Sequence, residues 1–252
     1  MSNSKHSGGV RPKSPVALVT GASGGLGQAL ALELDALGCR VAVHYNSSAA
    51  PAEAVRDKLR NDAIVVTGDV GSWEAVTALN AEVNERLGPI NVLVNNAAIR
   101  RDQLMAMQSV TDWTAVVTTN LLGTFHTSRV AVPAMLRGRW GRIVNIVSPS
   151  GLIASPGQTA YSASKAGVIG LTRTLAAECG RRGVTVNALS PGFMETRMTS
   201  GLPEHVVAGI REKAPIPGFV SPEEVARSMA FLLDSDYLTG QVISIDGGIA
   251  TM

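Results

Sequence analysis

The chain is poor in cysteine, in aromatic residues and in unbalanced charge, and each shortage removes a class of function. Its two cysteines, Cys39 and Cys179, are too few and too far apart in sequence for a disulfide framework. They read as two buried free thiols, which fits a reducing cytoplasm. Aromatic residues make up 4% of the chain, and 22 Lys and Arg against 20 Asp and Glu leave a net charge of +2 with no dense basic run. Such a surface offers little to a nucleic acid, although a small anionic ligand stays open. The four histidines, His6, His44, His126 and His205, stand far apart and without Cys partners at ligand spacing, so no metal site is indicated. The opening "MSNSKHSGGVRPKSP" has no apolar segment and reads as a flexible extension over residues 1–14, not as a signal peptide. No uninterrupted apolar run reaches the length needed to cross a membrane.

What the chain has instead is glycine and aliphatic residues: 26 glycines and 45% hydrophobic residues in 252 positions, enough for a folded α/β protein with a substantial core. From Pro15 onward short apolar runs alternate with helical patterns. "PVALVT" is followed by "GGLGQALALELDALG", "CRVAVHY" by a helix near Pro51 to Arg60, and "AIVVTGDV" by a helix near Trp73 to Leu87. "INVLVNNA", a long helical stretch from about Thr111 to Leu136, "GRIVNIVS", "GVTVNALSPG" and "GQVISIDGG" continue the pattern. Strands alternating with helices predict parallel βαβ units, here about seven strands and six main helices in one domain over residues 15–252. The interval 193–218 breaks the alternation; a long Pro- and Met-containing excursion of this kind is expected to be a lid over the substrate.

Two stretches carry chemistry. In "VTGASGGLGQAL", Gly21, Gly25 and Gly27 follow the first strand and open the first helix, where glycines permit a tight turn and close backbone approach to a pyrophosphate. In "AYSASKAG", Tyr161 precedes Lys165 by four positions, which places both on one helical face. An ammonium there is expected to favour the ionised phenol and make Tyr161 a proton donor and acceptor.

The spacing Thr-Gly-x-x-x-Gly-x-Gly resembles the short-chain dehydrogenase/reductase family, and the resemblance continues along almost the whole chain from residue 15. Asp69 in "GDV", Asn95-Asn96-Ala97-Ala98, with alanine in place of the family's final glycine, Asn120 in "TTNLLGTF", Ser148 thirteen residues before Tyr161, "SPGFMET" and "TGQVISIDGG" all fall in order. The resemblance implies a doubly wound Rossmann-type sheet and four catalytic residues, Asn120, Ser148, Tyr161 and Lys165. Ser148 and Tyr161 would bind the substrate oxygen, Tyr161 would move the proton, Lys165 would lower its pKa and hold the nicotinamide ribose, and Asn120 would position a water. The implied cofactor contacts are Gly21, Ser23, Gly24, Gly25, Leu26 and Gly27 in the first turn; Tyr45, Asn46 and Ser47 after the second strand; and Asp69 and Val70 after the third. Asn96, Ala97 and Ala98 follow the fourth strand, then come Tyr161 and Lys165, and finally Pro191, Gly192, Met194 and Thr196.

No acidic residue ends the second strand, where "VHYNSSAA" offers uncharged donors, and this favours NADPH over NADH. The arginine frequent in the family's glycine turn is replaced by Gly24, so no strong cationic clamp on the 2′-phosphate is evident. Within the family the chain is most similar to bacterial 3-oxoacyl-acyl-carrier-protein reductases and to ketoreductases of polyketide and polyene pathways, through "NNAAIRRDQLMAM", "RGRWGRIVNIVS" and "ECGRRGVTVNALSPGFMETRMT". That likeness implies an acyl carrier protein as partner, contacted by Arg139 and Arg182 near the site entrance, and a homotetramer built through the long helices and the C-terminal strand. Pro149 after the serine, and Pro217 and Gly218 where Gly and Arg are usual, depart from the pattern on the substrate side. A dehydrogenase of a small free alcohol or ketone, such as a sugar or steroid, shares every catalytic residue and is the alternative.

Overall fold

Seven short aliphatic runs form the strands: β1 (Val16–Val19), β2 (Arg40–Tyr45), β3 (Ala63–Thr67), β4 (Ile90–Asn95), β5 (Gly141–Ile146), β6 (Val184–Pro191) and β7 (Val242–Ile245). In the computed structural model, which describes residues 9–194 and 214–251, they make one sheet in the order β3-β2-β1-β4-β5-β6-β7, with every pair parallel. Thr196, His6, His205 and most of the interval 193–218 lie outside the described residues. The main helices are α1 (Gly25–Ala36), α2 (Ala49–Arg56), α3 (Trp73–Arg86), α4 (Val110–Val117), α5 (Gly123–Gly138) and α6 (Thr159–Cys179).

A parallel sheet must be covered on both faces, and the strand sequences supply two apolar faces by simple alternation. Ala17, Val19, Val41, Val43, Val92 and Val94 pack with Leu30 and Leu34 of α1 and with Met229 and Leu232 of the short helix Ser228–Asp234. Val16, Leu18, Ala42, Leu93 and Ile143 turn the other way, onto Leu79 and Val83 of α3 and Met135 of α5. Cys39 and Cys179 are buried free thiols within these two layers. One buried charge interrupts the first layer, on the face of β5 that carries Val144. Arg142 of β5 donates to the Leu233 and Gly183 carbonyls, pairs with Asp236 and stacks 4.6 Å from the Trp140 ring, pinning the C-terminal helices to the sheet.

Three elements differ from the sequence reading. The long helix is interrupted by a π-turn, Thr118–Leu122, between α4 and α5, so that Asn120 is buried inside one continuous helical run from Val110 to Gly138. Helix α2 occupies residues 49–56, not 51–60. The Asp35 carboxylate accepts from the Arg60 and Asn61 amides at 3.0 and 2.8 Å and holds them outside the helix. In the segment read as a flexible extension, the Gly9 amide donates to the Arg139 carbonyl at 2.6 Å and Arg11 bridges Asp234 and the Leu37 carbonyl, fastening residues 9 and 11 to the body. Among the described residues no helix is long and apolar enough to cross a membrane.

The strand order reverses between β1 and β4. In open α/β sheets that reversal opens a crevice outside the carboxyl ends of the strands, and the glycine turn, Asp69, Asn96, Ser148, Tyr161 and Pro191 lie at or just beyond those ends.

Candidate active site

The glycine turn between β1 and α1 is shaped by three distinct requirements. Gly21 and Gly25 have φ of +62° and +54°, a region that side-chain-bearing residues rarely adopt. At Gly27 a Cβ would lie 2.2 Å from the Gly21 carbonyl oxygen, so only glycine lets α1 approach the turn this closely. Gly24 faces open space, and as N-cap it lends no side chain to the first turn of α1, which also carries no acidic residue. The first-turn amides with Ser23 and Leu26 therefore form a cradle suited to an anion, which fits a dinucleotide pyrophosphate.

The turn is braced from β4. The Asn96 carboxamide donates to the Thr20 and Gly21 carbonyls, both at 3.0 Å, while the Asn96 and Ala97 amides donate to the Thr20 hydroxyl at 2.9 and 3.0 Å. Ala98 fits its place because the backbone there does not enter the left-handed region; among described non-glycine residues only Arg139 does. On the far side, Tyr45 closes β2 half-buried, with Asn46 and Ser47 exposed beyond it. Asp69 accepts from the Gly71 amide at 2.8 Å, and Val70 packs so closely on Gly123 that a Cβ there would meet it at 2.7 Å. A shallow depression of about 500 Å³ runs from Asp69 along Thr111, Thr114 and Thr118 of the α4 region and does not extend to Ser148 or Tyr161.

Ser148 follows β5, and Tyr161 and Lys165 lie in the first two turns of α6. The Ser148 hydroxyl faces the Tyr161 phenol closely enough to act on its ionisation, and the Lys165 ammonium, 3% exposed, donates to the Ile146 carbonyl at 2.7 Å. This corrects the expected origin of the tyrosine's acidity. Burial holds the Tyr161 phenol above its ordinary value of 10.0; the influences pulling it down are the Arg100 charge and the Ser148 hydroxyl. Lys165 sits 5.5 Å from the centre of the tyrosine ring, and its own pKa falls to about 8 because it is desolvated.

Asn120 acts through its neighbours. Its carboxamide accepts from the Ile99 amide at 2.9 Å and donates to the Ile99 carbonyl at 3.0 Å and the Ser164 hydroxyl at 3.1 Å, tying the loop after β4 to α6. The Ser164 hydroxyl in turn donates to the Tyr161 carbonyl at 2.7 Å. On the third side Pro191 ends β6 and Gly192 bonds to the end of β7, where a Cβ would lie 2.7 Å from the Asp246 Cα. Met194 is the last described residue of this segment.

Arg139 and Arg182 are not brought to this edge. They precede β5 and β6, whose Gly141 and Val184 are paired, so both lie at the amino ends of strands whose carboxyl ends carry Ser148 and Pro191. The eight residues of β6 separate the two edges by roughly 25 Å at ~3.3 Å per residue. The expected position near the entrance is thereby corrected for a single chain.

A polar chain absent from the sequence reading lines the opposite rim. Arg100 pairs with Asp102 at 3.1 Å, Asp102 accepts from Gln158 at 3.0 Å, and Gln158 accepts from the Ser150 hydroxyl at 2.7 Å. The doubled arginine of "AIRRD" was its one visible signal, because Gln158 and Ser150 meet it only through folding.

The sequence model of the short chain dehydrogenase family matches residues 15–206. A 3-oxoacyl-[acyl-carrier-protein] reductase of Synechocystis sp. is 42% identical over 240 residues, covering 93% of this chain and 96% of that protein. The enzyme of the same name from Staphylococcus aureus is 41% identical over 238 residues, 92% of this chain and 97% of its own. Nodulation protein G of Azospirillum brasilense is 40% identical over 239 residues, 93% and 97% of the two chains.

Proposed function

The chain belongs to the short-chain dehydrogenase family, and from that premise we propose that it is a cytoplasmic, NADPH-dependent reductase converting a 3-oxoacyl thioester, delivered on an acyl carrier protein, to the 3-hydroxyacyl product. The observation that carries the reaction is the Ser148–Tyr161–Lys165 cluster at the carboxyl edge of the sheet, beside a glycine turn suited to a dinucleotide. When bound, the nicotinamide supplies hydride to the ketone carbon. The oxygen then gains negative charge, and the Ser148 and Tyr161 hydroxyls are the donors placed to meet it. Burial keeps the phenol protonated at neutral pH, so the resting site is prepared to give a proton, as reduction requires. Lys165 stands behind the ring to restore that proton. Asn120 holds α6 and the loop after β4 in register, and its carbonyl, which already accepts from Thr124 at 2.8 Å, has a second lone pair for a relay water.

The preference for NADPH rests on the end of β2, where Asn46 and Ser47 are exposed and uncharged. Asn46→Asp would place a carboxylate beside a 2′-phosphate, so the ratio of kcat/KM with NADPH to that with NADH is expected to fall at least about tenfold. An unchanged ratio would put the phosphate elsewhere.

For the substrate, the support is likeness over the full length of two reductases of this name. The test is NADPH consumption with 3-oxoacyl thioesters of varied length and unsaturation, free and carrier-bound, beside free ketones and, in reverse, sugars and steroid alcohols. Turnover confined to the free compounds would favour the alternative. As a homotetramer the chain would pair through its long helices, where Leu122 and Phe125 are 44% and 47% exposed and less than one turn apart. In that assembly Arg139 and Arg182 serve the site of a neighbouring copy, since their own lies across the sheet. Reversing both to Glu is expected to raise the KM for a carrier-bound substrate at least about threefold at low salt, with turnover of a small free thioester unchanged. Equal KM values would remove the pair from carrier recognition.

A further inference from the structure

His44 stands on β2 between the two loops that the dinucleotide reading uses, and is 1% exposed. Its Nδ1 accepts from the Gly21 amide at 3.0 Å, and its Nε2 lies 2.8 Å from the Gly68 carbonyl oxygen. An amide N–H only donates and a carbonyl only accepts, so these partners admit one protonation state: neutral imidazole with its proton on Nε2. The His44 carbonyl also accepts from the Ala22 amide at 2.8 Å. Consecutive amides of the glycine turn thus hang on one residue, whose side chain is anchored at its other end one position before Asp69.

We propose that His44 is a positioning residue of the dinucleotide site: as a single neutral tautomer it sets the spacing between the glycine turn and the Gly68–Val70 loop, and its protonation loosens both. The proposal rests on the dinucleotide reading given above. A second proton would have to sit on Nδ1, facing the Gly21 N–H, which turns a hydrogen bond into a donor–donor contact and leaves a buried cation. Asp69 is the charged group bearing on the ring and it favours the cation; β1, β3 and the turn at residues 20–24 carry no ionisable side chain. Burial outweighs Asp69 and holds the imidazole below its ordinary value of 6.5. A depressed folded-state pKa means that the neutral contacts are intact above about pH 6.5 and are lost as pH falls through the folded value. Dinucleotide affinity, which needs the same loop spacing, falls with them.

His44→Asn puts a carboxamide oxygen near the place of Nδ1, keeping the Gly21 bond while removing both the Gly68 bond and the titration. His44→Gln reaches toward Gly68 instead, and is the second variant should the first fail to fold by circular dichroism. The experiment measures Kd for NAD⁺ and NADP⁺ by calorimetry from about pH 8 down to the lowest pH at which the wild-type protein stays folded, in the wild-type protein and the variant, with the melting temperature of the ligand-free protein at the same pH values. Protonation of the nucleotides themselves is common to both proteins and cancels. Wild-type affinity is expected to fall at least about fivefold more than that of the variant on acidification, and its melting temperature to fall further. Retained binding with parallel pH profiles would overturn the role of His44 alone. No binding of either nucleotide by any protein at pH 8 would overturn the dinucleotide reading, and this proposal with it.

Discussion

Tyr161→Phe lowers turnover of a 3-oxoacyl thioester at least about 100-fold while dinucleotide binding stays within about twofold. The substitution keeps the ring, its packing and its contact with Lys165, and removes only the oxygen that meets Ser148. What remains for the developing alkoxide is the Ser148 hydroxyl, a much weaker acid than a phenol, which can donate a hydrogen bond but not readily give up its proton. Single-turnover reduction measured beside a dinucleotide titration separates the two effects. A near-normal rate would take the proton donor away from Tyr161, and a parallel loss of affinity would mean that the phenol supports the cofactor more than the chemistry.

Lys165→Met is expected to make a more stable and inactive protein. The ammonium is buried and desolvated, and it donates to the Ile146 carbonyl. Its pKa of about 8 lies below the ordinary 10.5, so the unfolded chain binds the extra proton more tightly than the folded one. The folded state therefore carries the full penalty below about pH 8 and sheds it as pH rises from 8 toward 10.5. Methionine fills similar volume without charge, and at pH 7 the gain is about 1–3 kcal/mol after the lost hydrogen bond is counted. Thermal unfolding from pH 7 to pH 10 checks this: the advantage of the variant should be largest at pH 7 and shrink toward pH 10. A variant less stable at pH 7 would show that the Ile146 bond outweighs desolvation. Activity and dinucleotide affinity should both fall in the same protein, the pattern of a residue kept for function against stability.

The sheet was legible because its strands are buried on both faces and read as continuous aliphatic runs, each followed by a helical pattern. The glycine turn was legible for a similar reason: the spacing of Gly21, Gly25 and Gly27 answers to backbone requirements that few other residues meet. Less visible were features made by contacts between distant positions. The π-turn around Asn120 leaves no mark in composition, since one widened turn changes hydrogen bonding and not the apolar stripe. Four-residue spacing put Tyr161 and Lys165 on one face correctly. It could not show that the ammonium would turn to Ile146, or that Arg100, sixty-one positions upstream, would be a charge pulling the phenol down. For Arg139 and Arg182 the information was present: both come just before strands while the site residues come just after them, and strand direction alone puts them on opposite edges. His44 could be recognised as a lone histidine at a strand end, but its two backbone partners come from the ends of two other strands.

The most direct measurement follows the hydride itself. With NADPH dideuterated at nicotinamide C4 and a 3-oxoacyl thioester carried on acyl carrier protein, the product should be a 3-hydroxyacyl thioester with one deuterium at C3. Its formation should fall at least about 100-fold in Tyr161→Phe. Product that carries no deuterium at C3, or turnover seen only with free ketones and alcohols, would contradict the account.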